Sequence, residues 1–279
     1  MSSSAIHYRI EAFDPYAHLY RITLDIARPD PAGQILRLPA WIPGSYMIRD
    51  FARNITRISA SSAHGEVALR KLDKSSWQLP PLHEAVTVTC TVYAWDLSVR
   101  AAHLDQKHAY FNGSSVFLEV VGQADQPCTL EIVKPAIPEA KHWRVATSLA
   151  ENGAQRYGFG QYRADNYADL IDHPVEIADF SLISFNACGV PHDFALTGLH
   201  NADLDRIARD LKLICEYQIR MFGEPAPFQR YVFITWAVGD GYGGLEHRAS
   251  TSLICSRDDL PLAKNSDQMS DGYRTFLGL

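Results

Sequence analysis

From Ile6 to about Ala178 nearly every segment of this chain reads as a β-strand, and that run constrains the fold more than any other feature. Residues 6–12 and 19–26 alternate apolar with polar, which places one set of side chains on one face of a sheet. Residues 86–95, Val-Thr-Val-Thr-Cys-Thr-Val-Tyr-Ala-Trp, are β-branched and aromatic throughout, as a half-buried pleated surface prefers. Asp30-Pro31, His64-Gly65 and Asn152-Gly153 supply turns at short intervals. This cadence predicts an all-β sandwich or saddle, with no amphipathic helix and no internal repeat in this half.

The pattern changes at Leu170-Ile171-Asp172-His173-Pro174-Val175-Glu176-Ile177-Ala178, which predicts two domains, 1–178 and 179–279. Residues 180–187 and 193–197 read as a hairpin pair. Asn201-Ala202-Asp203 then offers a helix start, its acidic residue favourable at the positive end of a helix. Apolar residues Leu204, Ile207, Ala208, Leu211, Ile214, Cys215, Ile219 and Phe222 recur at three and four, so residues 204–222 form an amphipathic helix ended by Gly223 and Pro225. Strands are expected at 231–236 and 251–255. Asp267 is expected to open a last helix over 268–279, which runs to Leu279 without Gly, Asn or Pro beyond it and reads as a truncation.

With 279 residues, 47% hydrophobic and 21% charged, the chain is globular and large enough for real cores. A net charge of −6 without a Lys/Arg run argues against a nucleic-acid surface. No stretch approaches eighteen apolar residues, so no membrane span is expected. The start shows no basic region followed by an apolar run, hence no secretory signal. The five cysteines are odd in number and never in a C-x-x-C pair, against a disulfide framework or a Cys-based zinc site. The expected compartment is the cytoplasm.

Between the two last strands lies Tyr242-Gly243-Gly244-Leu245-Glu246-His247-Arg248. A glycine pair there marks either a hairpin turn with a solvated Glu-His-Arg or a place where a second backbone approaches. In residues 38–54, prolines on both sides of Trp41-Ile42 keep the backbone extended, and Gly44 allows a tight bend. A packing role is expected there, with Trp41 and Tyr46 pinning the loop and Arg49 paired with Asp50. Asn112-Gly113, within residues 110–118, reads first as a hairpin turn. A helical zinc site needs two histidines four apart with a glutamate between them. His83-Glu84 lacks the second histidine, His103 and His108 are five apart outside any helical pattern, and Glu246-His247 are adjacent. No metal site is expected in this chain. No nucleophile elbow, P-loop or dinucleotide fingerprint is present.

Four passages together resemble the glycyl-aminopeptidase family of zinc metallopeptidases: Trp41-Ile42-Pro43-Gly44-Ser45-Tyr46 with Arg49-Asp50, Phe111-Asn112-Gly113-Ser114-Ser115, Asp172-His173-Pro174-Val175-Glu176, and Gly243-Gly244-Leu245-Glu246-His247. The last is also similar to the Gly-x-Met-Glu-Asn exopeptidase motif of the larger alanyl-aminopeptidase group. The resemblance implies an N-terminal β domain followed by the α+β opening of a thermolysin-like catalytic domain. It implies that Glu246 takes the substrate's α-ammonium, that Gly243, Gly244 and Leu245 form the edge receiving an extended peptide, and that Asn112 or Ser114 helps orient the peptide's N-terminus. It further implies a zinc ion and a His-Glu-x-x-His helix beyond Leu279, usually with a PDZ domain after it. The chain by itself is therefore expected to hold no zinc and to be inactive, and to self-associate through apolar surface left by the incomplete domain. A non-catalytic peptide-binding β-sandwich, or a pseudo-peptidase, remains the alternative.

Overall fold

The computed structural model describes residues 5–43, 45–263 and 268–278, mostly as β-strands. Two compact units arise from the chain. One runs to Val145 and resumes over Leu149–Ala178; the other joins Ala146–Ser148 to Asp179–Leu279.

The first unit is built on an eight-stranded sheet. Its centre is Ile6–Asp14, antiparallel to Leu19–Ile26, which in turn pairs with Val86–Tyr93. On its other side Ile6–Asp14 runs parallel to Cys128–Val133. The alternation read from the sequence becomes burial: Val86, Val88, Cys90 and Val92 are inside, the intervening threonines half-buried. Two smaller four-stranded sheets complete the β structure of this half. Buried tyrosines tie its core to irregular segments. Tyr8 donates to Leu118 O at 2.7 Å and Tyr167 to Phe117 O at 2.8 Å, and burial raises both phenols well above their ordinary range.

Three local expectations are corrected here. The first is Asn112-Gly113, which is not a hairpin turn: residues Gly113–Ser115 form one 3-10 turn capped by Asn112. The short helix α1 (Tyr167–Ile171) lies against it, at Ile171. That helix is too short to show a 3.6-residue period, so the sequence pattern missed it. Second, Arg49 and Asp50 do not pair. Asp50 sits in the left-handed region at φ 48°, which turns its carboxylate to Lys74 at 2.8 Å, while Arg49 Nε donates to Ser45 Oγ at 3.1 Å. Third, Trp41 alone pins the loop, its indole N–H donating to Ser45 O at 2.8 Å, whereas Tyr46 is fully exposed. The bend expected at Gly44 lies outside the described residues.

The second unit is a five-stranded mixed sheet, in the order Ser181–Ala187, Val190–Thr197, Tyr231–Val238, Ser250–Ser256, Tyr242–Glu246. The first two strands form the expected hairpin. Its turn is Cys188-Gly189, both at positive φ, the geometry that matches strand twist in a two-residue connection. Helix α2 (Leu204–Phe222) links two parallel strands, as a parallel pair requires a crossover. Asp203 caps it by accepting from the Arg206 N–H at 3.0 Å, and Gly223 ends it at φ 102°. On its buried face Ile207 and Leu211 pack on the sheet through Phe194, Leu196, Ala237 and Leu253, and further along Cys215 and Ile219 pack with Ala187, Phe185 and Phe233. Helix α3 (Asp271–Leu277) adds Tyr273 and Phe276 to that core. It begins later than the sequence pattern placed it, because Ser270 is the residue that caps it, accepting from the Tyr273 N–H at 3.1 Å. The expected start at Asp267 lies outside the described residues. No helix among the described residues is long and apolar enough to cross a membrane.

Candidate functional site

The glycine motif is a strand, not a turn. Tyr242–Glu246 pairs antiparallel with Ser250–Ser256 and forms one edge of the five-stranded sheet. The turn comes two residues later, where His247 N–H donates to Ser250 O at 2.9 Å across Arg248-Ala249. That bond sets the ladder. Hydrogen-bonded pairs alternate along an antiparallel ribbon, so Gly243 and Leu245 bond inward and the N–H and C=O of residues 242, 244 and 246 turn to the outer edge. Thr251 Oγ1 reinforces the register by donating to Leu245 O at 3.2 Å.

Side chains alternate on the same strand. Leu245 is buried on one face. Glu246, opposite Thr251, lies on the other, which is also the face covered by α2 and α3. There it borders a largely apolar groove of about 450 Å³, lined also by His192, Phe233, Thr251, Leu253 and Phe276. His192 is buried among Phe185, Phe228, Tyr231 and Phe233, and its Nδ1 lies 2.9 Å from Val190 O. Burial lowers its pKa and keeps the ring neutral.

The glycines differ in what they allow. A Cβ on Gly241 would come within 2.6 Å of Val238 Cγ2 and 3.0 Å of Ile254 Cγ2, so glycine is demanded there by packing. A Cβ on Gly243 would meet nothing within 4 Å among the described residues, and its φ is not one that disfavours a side chain. Nothing in its surroundings requires a glycine at that position.

The structure thus brings Gly243, Gly244, Leu245 and Glu246 together on one edge strand. Asn112 belongs to the first unit and is fully buried. Its Oδ1 accepts from Ser114 Oγ at 2.8 Å and from Ser114 N–H at 3.3 Å, and Ser115 Oγ donates to Asn112 O at 2.7 Å. Its Nδ2 is buried without a hydrogen-bond partner. Gly113 is locked against α1, since a Cβ there would lie 2.8 Å from Ile171 Cα.

Next to this turn the fold assembles a cluster that spacing in sequence did not show. His103 and His108 lie on neighbouring strands with ring centroids 4.8 Å apart. His103 Nε2 is 3.5 Å from Asp105, and His108 Nδ1 is 3.5 Å from the buried Glu176. Burial, helped by the neighbouring His103, pushes the His108 pKa down to about 3. Burial works against the Asp105 charge, but hydrogen bonds from the His103 side chain and the His108 and Lys107 backbone outweigh it, so its carboxyl titrates below the usual range. The only hint in the sequence was two histidines flanking an aspartate. Among the described residues no group of three or more His, Cys, Asp or Glu could hold a metal ion. The described residues therefore do not offer the donor set that the zinc implied by the family resemblance would need.

Residues 7–179 match the Peptidase M61 N-terminal domain. A crystal structure of an aminopeptidase N family protein from Idiomarina loihiensis is similar to nearly the whole chain. It is 47% identical, with a TM-score of 0.93, and the match covers 97% of this chain. The chain spans 45% of the length of that protein. No curated protein matches it. The family match extends over more than half of the chain, and the chain belongs to the peptidase M61 family, whose N-terminal domain it carries.

Proposed function

We propose that this chain is the substrate-end-binding portion of a zinc-dependent aminopeptidase that removes N-terminal residues, glycine among them, from peptides. Glu246 holds the peptide's α-ammonium by a charge-assisted hydrogen bond, which selects free N-termini and sets the register of cleavage. The Tyr242–Glu246 edge receives the peptide backbone by strand addition. On this reading residues 179–279 open a thermolysin-like catalytic domain, and the zinc ligands and general base lie in the part of the family's length that this chain does not span. The chain alone then neither binds stoichiometric zinc nor hydrolyses peptides, and the enzyme works in the cytoplasm. Asn112, sealed in the first unit, has no part in this reading.

One observation carries this reading. An exposed carboxylate ends an edge strand whose Gly243 has no packing reason to be glycine, and a strand-interior glycine costs stability. Space left at a sheet edge beside an anchoring charge is what a bound peptide end needs.

The test is Glu246→Gln in the longer protein. Loss of the charge-assisted contact is expected to raise KM for free-amino peptides by about ten- to hundredfold. An unchanged KM with an intact circular dichroism spectrum removes Glu246 from this role and favours a non-catalytic binding module.

A further inference from the structure

Helix α2 buries one face on its sheet, yet the opposite face is not purely polar. Leu213, Tyr217 and Met221 stand four residues apart along it, and each is more than half exposed. Residues four apart form one ridge on a helix surface. The neighbouring ridge is Lys212, Glu216, Arg220 and, just past the helix end, Glu224. Its charges alternate in sign and are bridged in series: Lys212 to Glu216 at 3.9 Å, Glu216 to Arg220 at 3.3 Å, and Arg220 to Glu224 at 3.9 Å. Between the ridges the surface dips among Leu213, Glu216, Tyr217, Arg220 and Met221. The first four have the i, i+3, i+4, i+7 spacing of the hole that receives a side chain from a facing helix. This surface shares no lining residue with the groove beside Glu246, and nothing in it depends on the peptidase reading.

We propose that this face docks a second copy of the chain, whose α2 packs antiparallel on it about a two-fold axis at Tyr217. The order of the charges selects both the partner and its direction. Read forward the ladder runs plus, minus, plus, minus; read backward it runs minus, plus, minus, plus. An antiparallel copy therefore sets Lys212 against Glu224 and Glu216 against Arg220, at all four positions. A two-fold axis perpendicular to both helices brings the same flank of each copy to the seam, so the ladder meets itself. A parallel copy would instead bring the ladder against the other flank, which carries Asp210, Ile214 and Gln218, and would lose these pairs. The same axis sets Leu213 of one copy beside Met221 of the other and sends each Tyr217 into the opposite hole. The apolar ridge supplies the attraction and the ladder the specificity. One helix pair buries less than a standard interface, so a dissociation constant of about 1–100 μM is expected.

The experiment is sedimentation velocity of the 279-residue chain over a dilution series spanning that range. It is repeated with Tyr217→Gln and with a reversed ladder, Lys212→Glu, Glu216→Lys, Arg220→Glu and Glu224→Lys together, all checked by circular dichroism. Tyr217→Gln is expected to weaken the dimer about ten- to hundredfold, since both copies lose a central aromatic. The reversed ladder keeps its alternation along the helix and across the axis, so it is expected to self-associate like the native chain. Mixed with the native chain it meets like charges. The mixed dimer, followed by fluorescence transfer between labelled copies, is expected to be at least about tenfold weaker than either homodimer. A native chain that stays monomeric throughout the series overturns the proposal. So does a dimer indifferent to Tyr217→Gln, which assigns association to another face, and so does equal mixing of native and reversed chains. A dimer formed by this chain but not by the longer protein gives the ridge to the remaining length of that protein, and overturns it too.

Discussion

Two passages singled out by their glycines end up in opposite circumstances. At Asn112-Gly113 the glycine is clamped against Ile171 and the asparagine is sealed in the core, its oxygen used by Ser114. At Gly243-Gly244-Leu245-Glu246 the first glycine has open space around it and the carboxylate faces solvent. One glycine is explained by what already touches it. The other has no described contact that explains it, and on the proposed reading its open space is left for a bound peptide.

The sharpest test of this contrast is a matched pair. Gly113→Ala forces a methyl onto backbone at 2.8 Å and is expected to cost about 1–3 kcal/mol, read as a lowered urea midpoint. Gly243→Ala, at an uncrowded strand position, is expected to be neutral or to gain up to about 1 kcal/mol. Equal losses at both sites would erase the distinction.

Acid is the next largest lever, and it acts on the packed side. His108 titrates near 3 when folded and near its ordinary 6.5 when unfolded, so the unfolded chain binds the proton first. Stability is then full above pH 6.5 and falls as pH drops toward 3, by roughly 2 kcal/mol between pH 6.5 and 5. The lowered Asp105 carboxyl adds to the loss further down, as pH falls below the ordinary carboxylate range. His108→Phe is expected to flatten the upper part of this profile in pH-dependent denaturation. A profile identical to the native one would contradict the neutral, buried state of this histidine.

Smaller effects refine the contrast. Asn112→Ala removes the cap of the Gly113–Ser115 turn and is expected to cost about 1 kcal/mol. Glu246→Gln, at an exposed strand end, is expected to shift the midpoint by less than about 0.5 kcal/mol while weakening capture of a free amino terminus. A large stability loss from Glu246→Gln would turn the carboxylate into a structural group.

Local pattern carried much of the fold. The 3.6-residue period between Asp203 and Gly223 located α2 to the residue, because period, cap and terminator all lie within the segment itself. Period-two alternation located the central strands of the eight-stranded sheet for the same reason. Pairings that depend on the backbone's path went wrong. Arg49 and Asp50 are neighbours in sequence yet bond to Ser45 and Lys74, because a left-handed Asp50 turns its side chain away. Asn112-Gly113 has the composition of a hairpin turn, but a buried 3-10 turn won once Ile171 packed on it. The His103–His108 stack, with Glu176 contributed from 68 residues further on, had no local signature at all.

By itself, then, the sequence determined which segments are strands, where the long helix starts and stops, and which family the chain resembles, since these rest on short-range periodicity, caps and short motifs. Only the tertiary structure decided that Gly243 and Glu246 stand at a sheet edge while Asn112 and Gly113 are sealed in a core. Whether a residue is packed or left open depends on which distant strands come to lie beside it, and strand order is set by the burial of whole faces, a property no local window contains.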